Sequence, residues 1–285
     1  MISVPAGFGR KETAQVYNKQ RMQAAAMFFD HFCISPARPD RDSLQMILSC
    51  FSHIPWENLT KFLVKAQLFP AENRLRMADT LISEHIEKGT GGTCFSLTEA
   101  LGAILSFAGF QCQPVMADMN HGKNIHCALS VTAADGLLFL ADPGYLVPEP
   151  VLMEPGKTTQ IETSLQTLVW EPSESADSFD LYSIDGDVRN WRYRIRMDPV
   201  SSAEFRNHWQ RSFDATGMNS LHLNCRSEEG RLSAHNLNLR RVTSHGNTNE
   251  KLKDSYAEKV EEYFGLSREI AGAAEKEWER SCLDR

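Results

Sequence analysis

The hydrophobic pattern changes character three times along the chain. Between Lys11 and Phe32, "KETAQVYNKQRMQAAAMFF" holds good helix formers and neither Gly nor Pro, which predicts a helix. "SLQMILSCF" predicts another, with Ser43 as its N-cap and a stop ahead of Pro55. "MADTLISEHIEKG" predicts a third, closed by Gly89. The next helix opens near Cys94 behind a Thr93 cap. It would carry Leu97, Leu101, Ile104, Leu105 and Ala108 on one face and end at Gly109.

After that helix the apolar period falls to two. "NIHCALSV" predicts a strand with His126, Ala128 and Ser130 on one face. "AADG" is a turn signal, so "LLFLAD" is expected to pair back as a hairpin. "NWRYRIRM" alternates again, with Arg192, Arg194 and Arg196 on one face. "SLHLNCRS" and "GRLSAHNLNLRRV" read as further strands. In the helix that follows, Leu252, Tyr256, Val260 and Phe264 recur every four residues, and Gly265 is its predicted end. Helices first, then strands, then strands and a helix argue for an α+β fold rather than an alternating parallel one.

Composition narrows the classes. The 285 residues allow about one to three domains, and 42% hydrophobic residues supply a core. A net charge of −7 speaks against general nucleic-acid binding. No apolar run approaches the roughly 18 residues of a membrane span, and no signal peptide is read at the start. A cytoplasmic protein without nucleic-acid or membrane partners is expected. Seven cysteines, odd in number and without a CxxC spacing, suggest neither a disulfide framework nor a four-cysteine zinc site.

"GGTCF" places Cys94 at the start of an apolar helix. Unpaired N–H groups and the positive end of the helix dipole favour thiolate there and could stabilise an oxyanion. Gly91 and Gly92 are expected to leave room for a substrate. A thiolate needs a base, and the base an orienting group. His126 on one strand and Asp142 at the end of the next are the candidates. As a bland alternative, Cys94 is a buried core thiol and Asp142 a turn residue before Pro-Gly. Asp118, His121, His126 and Cys127 fit no familiar metal-ligand spacing. "GTGGTCFS" lacks the Gly-Lys-Ser/Thr ending of a phosphate loop.

"IPWENLTKFL" (54–63), "GGTCF", "NIHCALSV", "LFLADPGY" and "YFGLS" come in the order and spacing of the arylamine N-acetyltransferases, which the chain resembles over about residues 15–266. The resemblance implies a helical bundle (1–90), a helix carrying Cys94 with an antiparallel β-barrel (91–200), and an α/β lid (201–285). It implies a papain-like Cys94–His126–Asp142 triad and double-displacement chemistry. Acetyl-CoA would acylate Cys94, and an aromatic amine or hydrazine would take the acyl group. Trp56 and Tyr145 match the family's acceptor-pocket positions, and Gly144 lies beside them. CoA-binding residues are not identified, and no metal is expected.

The chain departs from the family pattern at several positions. Thr90 replaces an arginine that looks like the partner of the residue matched by Glu57, so Glu57 must find another donor or face solvent. Thr93 replaces an aromatic, Ser96 a Glu or Gln, and Leu146 stands where glycine often follows. Pro143 after the aspartate removes one N–H. These changes keep open an amide synthase releasing a carrier-bound acyl chain, a thiol hydrolase, and a non-catalytic binding module on the same scaffold. Arg192, Arg194 and Arg196 read as barrel exterior, with a CoA phosphate site as the alternative.

Overall fold

The structure is a computed structural model and describes residues 8–35, 38–67, 74–163, 165–227, 230–253 and 255–283. It is α+β. Helices α1 (Phe8–His31), α2 (Arg41–Phe51), α3 (Leu59–Ala66) and α4 (Ala78–Lys88) precede α5 (Cys94–Phe107). The cap of α2 is Asp40, whose carboxylate accepts from the Ser43 N–H at 2.9 Å. Ser43 was the expected cap; it is the donor of that bond, because an aspartate three residues upstream reaches it first.

Helix α5 is buried from Cys94 to Leu105 on every side, not along the single predicted stripe. Helix packing accounts for one side: Leu97, Leu101, Ile104 and Leu105 join Phe28, Ile47 and Leu81 in one core. The sheet accounts for the other, since Leu129 and Val131 belong to the same core. At its polar edge Glu99 is held by Arg21 at 2.6 Å and by the Tyr17 hydroxyl at 2.8 Å, which ties α1 to α5.

Eight strands form a nearly closed antiparallel barrel: β2 (Gln111–Met119), β3 (Gly122–Thr132), β4 (Leu138–Ala141), β5 (Val151–Leu152), β6 (Thr159–Glu162), β7 (Thr167–Pro172), β8 (Ser178–Asp185) and β9 (Val188–Arg196). Their order is β5-β4-β3-β2-β9-β8-β7-β6. The edge strands β5 and β6 meet through Thr159 Oγ1, which donates to the Leu152 carbonyl at 2.5 Å. The expected β3–β4 hairpin is present, with Thr132 opposite Leu138. Strand β3 packs on both sides: Ala128 faces the barrel interior with Val115, Leu140 and Trp170, while Leu129 and Val131 face α5.

Helix α6 (Ser202–Arg211) leads to a second sheet of β10 (His222–Ser227), β11 (Gly230–His235), β12 (Asn238–Thr243) and β13 (Gly246–Lys251). "GRLSAHNLNLRRV" is therefore two strands, not one, folded at Asn236, whose φ is +49. Asn tolerates that left-handed turn better than most residues. A two-residue strand, β1 (Trp56–Glu57), adds to the β10 edge. Hence the N-terminal helical region also supplies a strand to the C-terminal sheet. Helices α7 (Tyr256–Phe264) and α8 (Arg268–Leu283) cover that sheet. Leu252, Tyr256, Val260 and Phe264 are all buried, and Gly265 ends α7 at φ +66.

Candidate active site

The loop before α5 is fixed by backbone pairing. Glu57 N–H donates to the Gly92 carbonyl at 3.0 Å, and Gly92 N–H donates to Pro55 O at 3.3 Å. A Cβ on Gly91 would lie 1.7 Å from that same Pro55 oxygen. The glycine is needed for the chain's own backbone, which corrects the expectation that it clears space for a substrate. Thr93 sits at the N-cap position of α5, but its hydroxyl makes no cap bond, contrary to expectation. The first-turn N–H groups therefore lack a side-chain cap beside Cys94.

His126 comes from β3. Asp142 follows β4 and caps the short 3-10 turn Pro143–Tyr145, accepting from the Tyr145 N–H at 3.0 Å. Since Leu129 pairs with Ala141, the hairpin brings Asp142 alongside His126. His126 Nε2 donates to Asp142 Oδ2 at 2.9 Å and lies 3.1 Å from Oδ1. That leaves Nδ1 free of the carboxylate, and the Cys94 side chain stands beside the ring, its sulfur 3.8 Å from the Ile125 carbonyl. Cys94, His126 and Asp142 are thus brought together and are all buried.

Tyr193 completes the arrangement and escapes sequence reasoning. Its hydroxyl donates to Asp142 Oδ2 at 2.7 Å and accepts from Trp170 Nε1 at 3.2 Å. Strand alternation turns it inward with Ile195, away from the run of arginines on the other face of β9. Those arginines are half-buried and paired rather than solvated: Arg194 pairs with Asp180, Arg196 with Asp118, and Arg192 donates to Ser183.

The charges oppose burial at this centre. Cys94 is held well below the usual thiol range. The first influence is the neighbouring Cys127 thiol; burial opposes it, and His126 and the Lys61 charge add to it. Cys127 is pushed well above that range by burial and by the anion next to it. Of the two thiols, Cys94 is the one whose anion the charges of His126 and Lys61 favour. Burial works against the imidazolium of His126, yet Asp142 and Cys94 outweigh it and raise its pKa to about 10.

A cavity of about 600 Å³ opens on this centre. Trp56, Gly144 and Tyr145 all line it with Cys94 and His126, as do Lys61, His222 and His235. A Cβ on Gly144 would lie 2.7 Å from Cys94 Cβ and 2.8 Å from His126 Cε1, so only glycine leaves the two side chains clear there. Leu146, in the place of a glycine, adopts a left-handed φ of +54. That conformation is costly for a branched side chain.

Glu57 does not face solvent. It is fully buried, accepts from Thr60 N–H at 2.9 Å and from Thr60 Oγ1 at 2.7 Å, and has Arg76 at 3.7 Å. Arg76 also donates to the Gly91 carbonyl at 2.7 Å and to Thr90 Oγ1 at 3.3 Å. An arginine from the segment before α4 thus supplies the charge that Thr90 lacks. An arginine in a polar stretch gives no such signal in the sequence. The same holds for Lys61, which reads as an ordinary helix-surface lysine.

A family model described as N-acetyltransferase matches residues 41–271. The fold of the mycobacterial enzyme titled Mycobacterium marinum arylamine N-acetyltransferase is similar, with TM-score 0.76 at 18% identity over 90% of this chain and 99% of that one. The structure of the same M. marinum enzyme in complex with CoA gives 0.74 at 17% over 88% and 98%. The arylamine N-acetyltransferase from Salmonella typhimurium gives 0.72 at 15% over 89% and 98%. The comparison with curated proteins gives no match. The α+β fold, with a helix-borne cysteine beside a barrel, is thus the fold of these N-acetyltransferase structures. This chain belongs to the arylamine N-acetyltransferase family.

Proposed function

We propose that this enzyme moves an acetyl group from a CoA thioester to the nitrogen of an aromatic amine or hydrazine by way of an acyl-Cys94 intermediate. The observation that carries the reading is the buried chain Cys94–His126–Asp142, with His126 Nε2 on the carboxylate and the thiol depressed. The Cys94 sulfur attacks the thioester carbon. The tetrahedral adduct collapses with loss of CoA thiolate, which takes the His126 proton. The acidity of that proton rises at this moment, because the sulfur anion that stabilised it has become a neutral thioester. The amine nitrogen then attacks the acyl carbon, His126 takes its proton, and Cys94 leaves as thiolate. N–H groups at the start of α5 are the donors available to the developing oxyanion.

The anionic end of the donor fits a neighbouring cleft of about 250 Å³ that shares Gly144, Tyr145 and Asn224 with the cavity. Arg226 and Arg231 line it and stand directly opposite each other on β10 and β11. Like charges in that register repel, and phosphates would relieve the repulsion. In support, the similar M. marinum structure is titled as a complex with CoA.

Initial rates with acetyl-CoA and an aniline test the reading. Double displacement predicts parallel double-reciprocal lines and no product from Cys94→Ser. Intersecting lines would refute the acyl-enzyme route. Turnover with longer acyl thioesters but none with acetyl-CoA would make it an amide synthase, and CoA release without need of an amine a hydrolase.

A further inference from the structure

Lys61, in the first turn of α3, is 8% exposed. Its ammonium donates to the Ser212 carbonyl at 2.9 Å and to the Ser212 hydroxyl at 2.7 Å, and lies 4.7 Å from the centre of the Phe213 ring. None of these is an anion. Among the described residues no carboxylate stands within 4.0 Å of it. An ammonium has three donors, and two acceptors leave one unused. A buried cation without an anionic partner is costly, so proteins seldom keep one idle. Lys61 lines the same cavity as Cys94.

The groups facing it are the thiols of Cys94 and Cys127, Lys65 on its own helix, and Asp214. Asp214 is engaged by Lys65 at 3.5 Å. Burial dominates and brings the Lys61 pKa down to about 8. In the resting site the Cys94 thiolate compensates part of its charge. Acylation removes that compensation, and His126 gives up its proton in the same half-reaction. Lys61 then faces the cavity with less negative charge near it, so an anionic group on the incoming partner would hold its proton in place just before the acceptor reacts.

We propose that Lys61 is a substrate-binding residue for a carboxylate. The carboxylate is carried by the aromatic-amine acceptor or by a dicarboxylic acyl chain on the donor. The inference rests on the acyl-transfer reading above. It adds that the site prefers acidic over neutral partners of similar size.

Two substrate pairs separate the sources: 4-aminobenzoate against 4-methylaniline, both with acetyl-CoA, and malonyl-CoA against propionyl-CoA, both with 4-methylaniline. For the responsible pair, Lys61→Met is expected to lower kcat/KM of the acidic member by roughly 10–100-fold, as loss of a charge-assisted hydrogen bond implies. The neutral member is expected to lose some rate too, because Lys61 also supports the Cys94 anion, but less than the acidic one, so the readout is the ratio of the two losses. Lys61→Arg should retain much of the preference. In wild type, the acidic-to-neutral ratio of kcat/KM should fall with rising pH as Lys61 loses its proton, through about 8 for the donor pair, which meets the resting enzyme, and at lower pH for the acceptor pair, which meets the acylated one. That measurement needs no variant to fold.

An equal loss for both members of both pairs, or a wild-type ratio that is flat with pH, would overturn the inference. Wild-type acetylation of 4-methylaniline keeps its failure distinct from failure of the acyl-transfer reading. That activity can be present while the preference is absent.

Discussion

The phenol ring of Tyr193 stacks on the imidazole of His126, with centroids 4.9 Å apart and planes at 29°. The same tyrosine holds Asp142 through its hydroxyl, so one side chain fixes both the ring plane of the imidazole and the carboxylate behind it. Tyr193→Phe keeps the stack and removes the bond. Acetyl transfer is expected to fall about tenfold, and the pH midpoint for alkylation of Cys94 to move up. Rates and midpoint both unchanged would show that the hydroxyl only fills space.

Asp142→Asn should act more strongly. Without the carboxylate the imidazolium loses its main support against burial, and the thiolate loses its partner. The midpoint of iodoacetamide labelling should climb toward the free-thiol value of about 8.5, with transfer down about 10³-fold or more. In wild type, labelling should stay fast well below that value. The sign follows from the depressed thiol: the reactive anion persists as pH falls and is lost only below its lowered pKa.

Gly144→Ala tests the closest approach at the site. The added methyl would meet Cys94 Cβ and His126 Cε1, so the fold should survive while the two reacting groups are pushed apart. A loss of about 10²-fold in acylation rate is expected, with stability in a melting experiment lowered by no more than the roughly 1–3 kcal/mol of an overpacked site. Full activity would mean that Cys94 and His126 work in another arrangement.

Arg76→Met should destabilise the fold, since it leaves Glu57 buried without a cation. The cost is about 3–5 kcal/mol in urea denaturation, and adding Glu57→Gln should recover part of it. A double variant as unstable as the sum of the singles would show that the two do not interact.

How far the sequence disclosed these features depends on the kind of interaction. Local patterns did well: the four-residue period of Leu252 to Phe264, the "AADG" hairpin and the start of α5 at Cys94 are set by neighbours in the chain. "GGTCF", "NIHCALSV" and "LFLADPGY" pointed to the family that also matches residues 41–271. Contacts between distant segments were hidden. Trp56 and Glu57 lie among helices, and their pairing with β10 is a tertiary event. Thr90 looked like a lost charge because Arg76 approaches Glu57 only in three dimensions. The long-range roles of Tyr193 and Lys61 have no local signature, since an inward tyrosine on a strand and a lysine on a short helix are ordinary in sequence.

The central claim is that the Cys94 sulfur carries the acyl group. Intact-mass measurement after mixing the enzyme with acetyl-CoA alone tests it most directly. One acetyl-sized gain is predicted, absent in Cys94→Ser and discharged when an aromatic amine is added. A protein of unchanged mass that still acetylates the amine would contradict it.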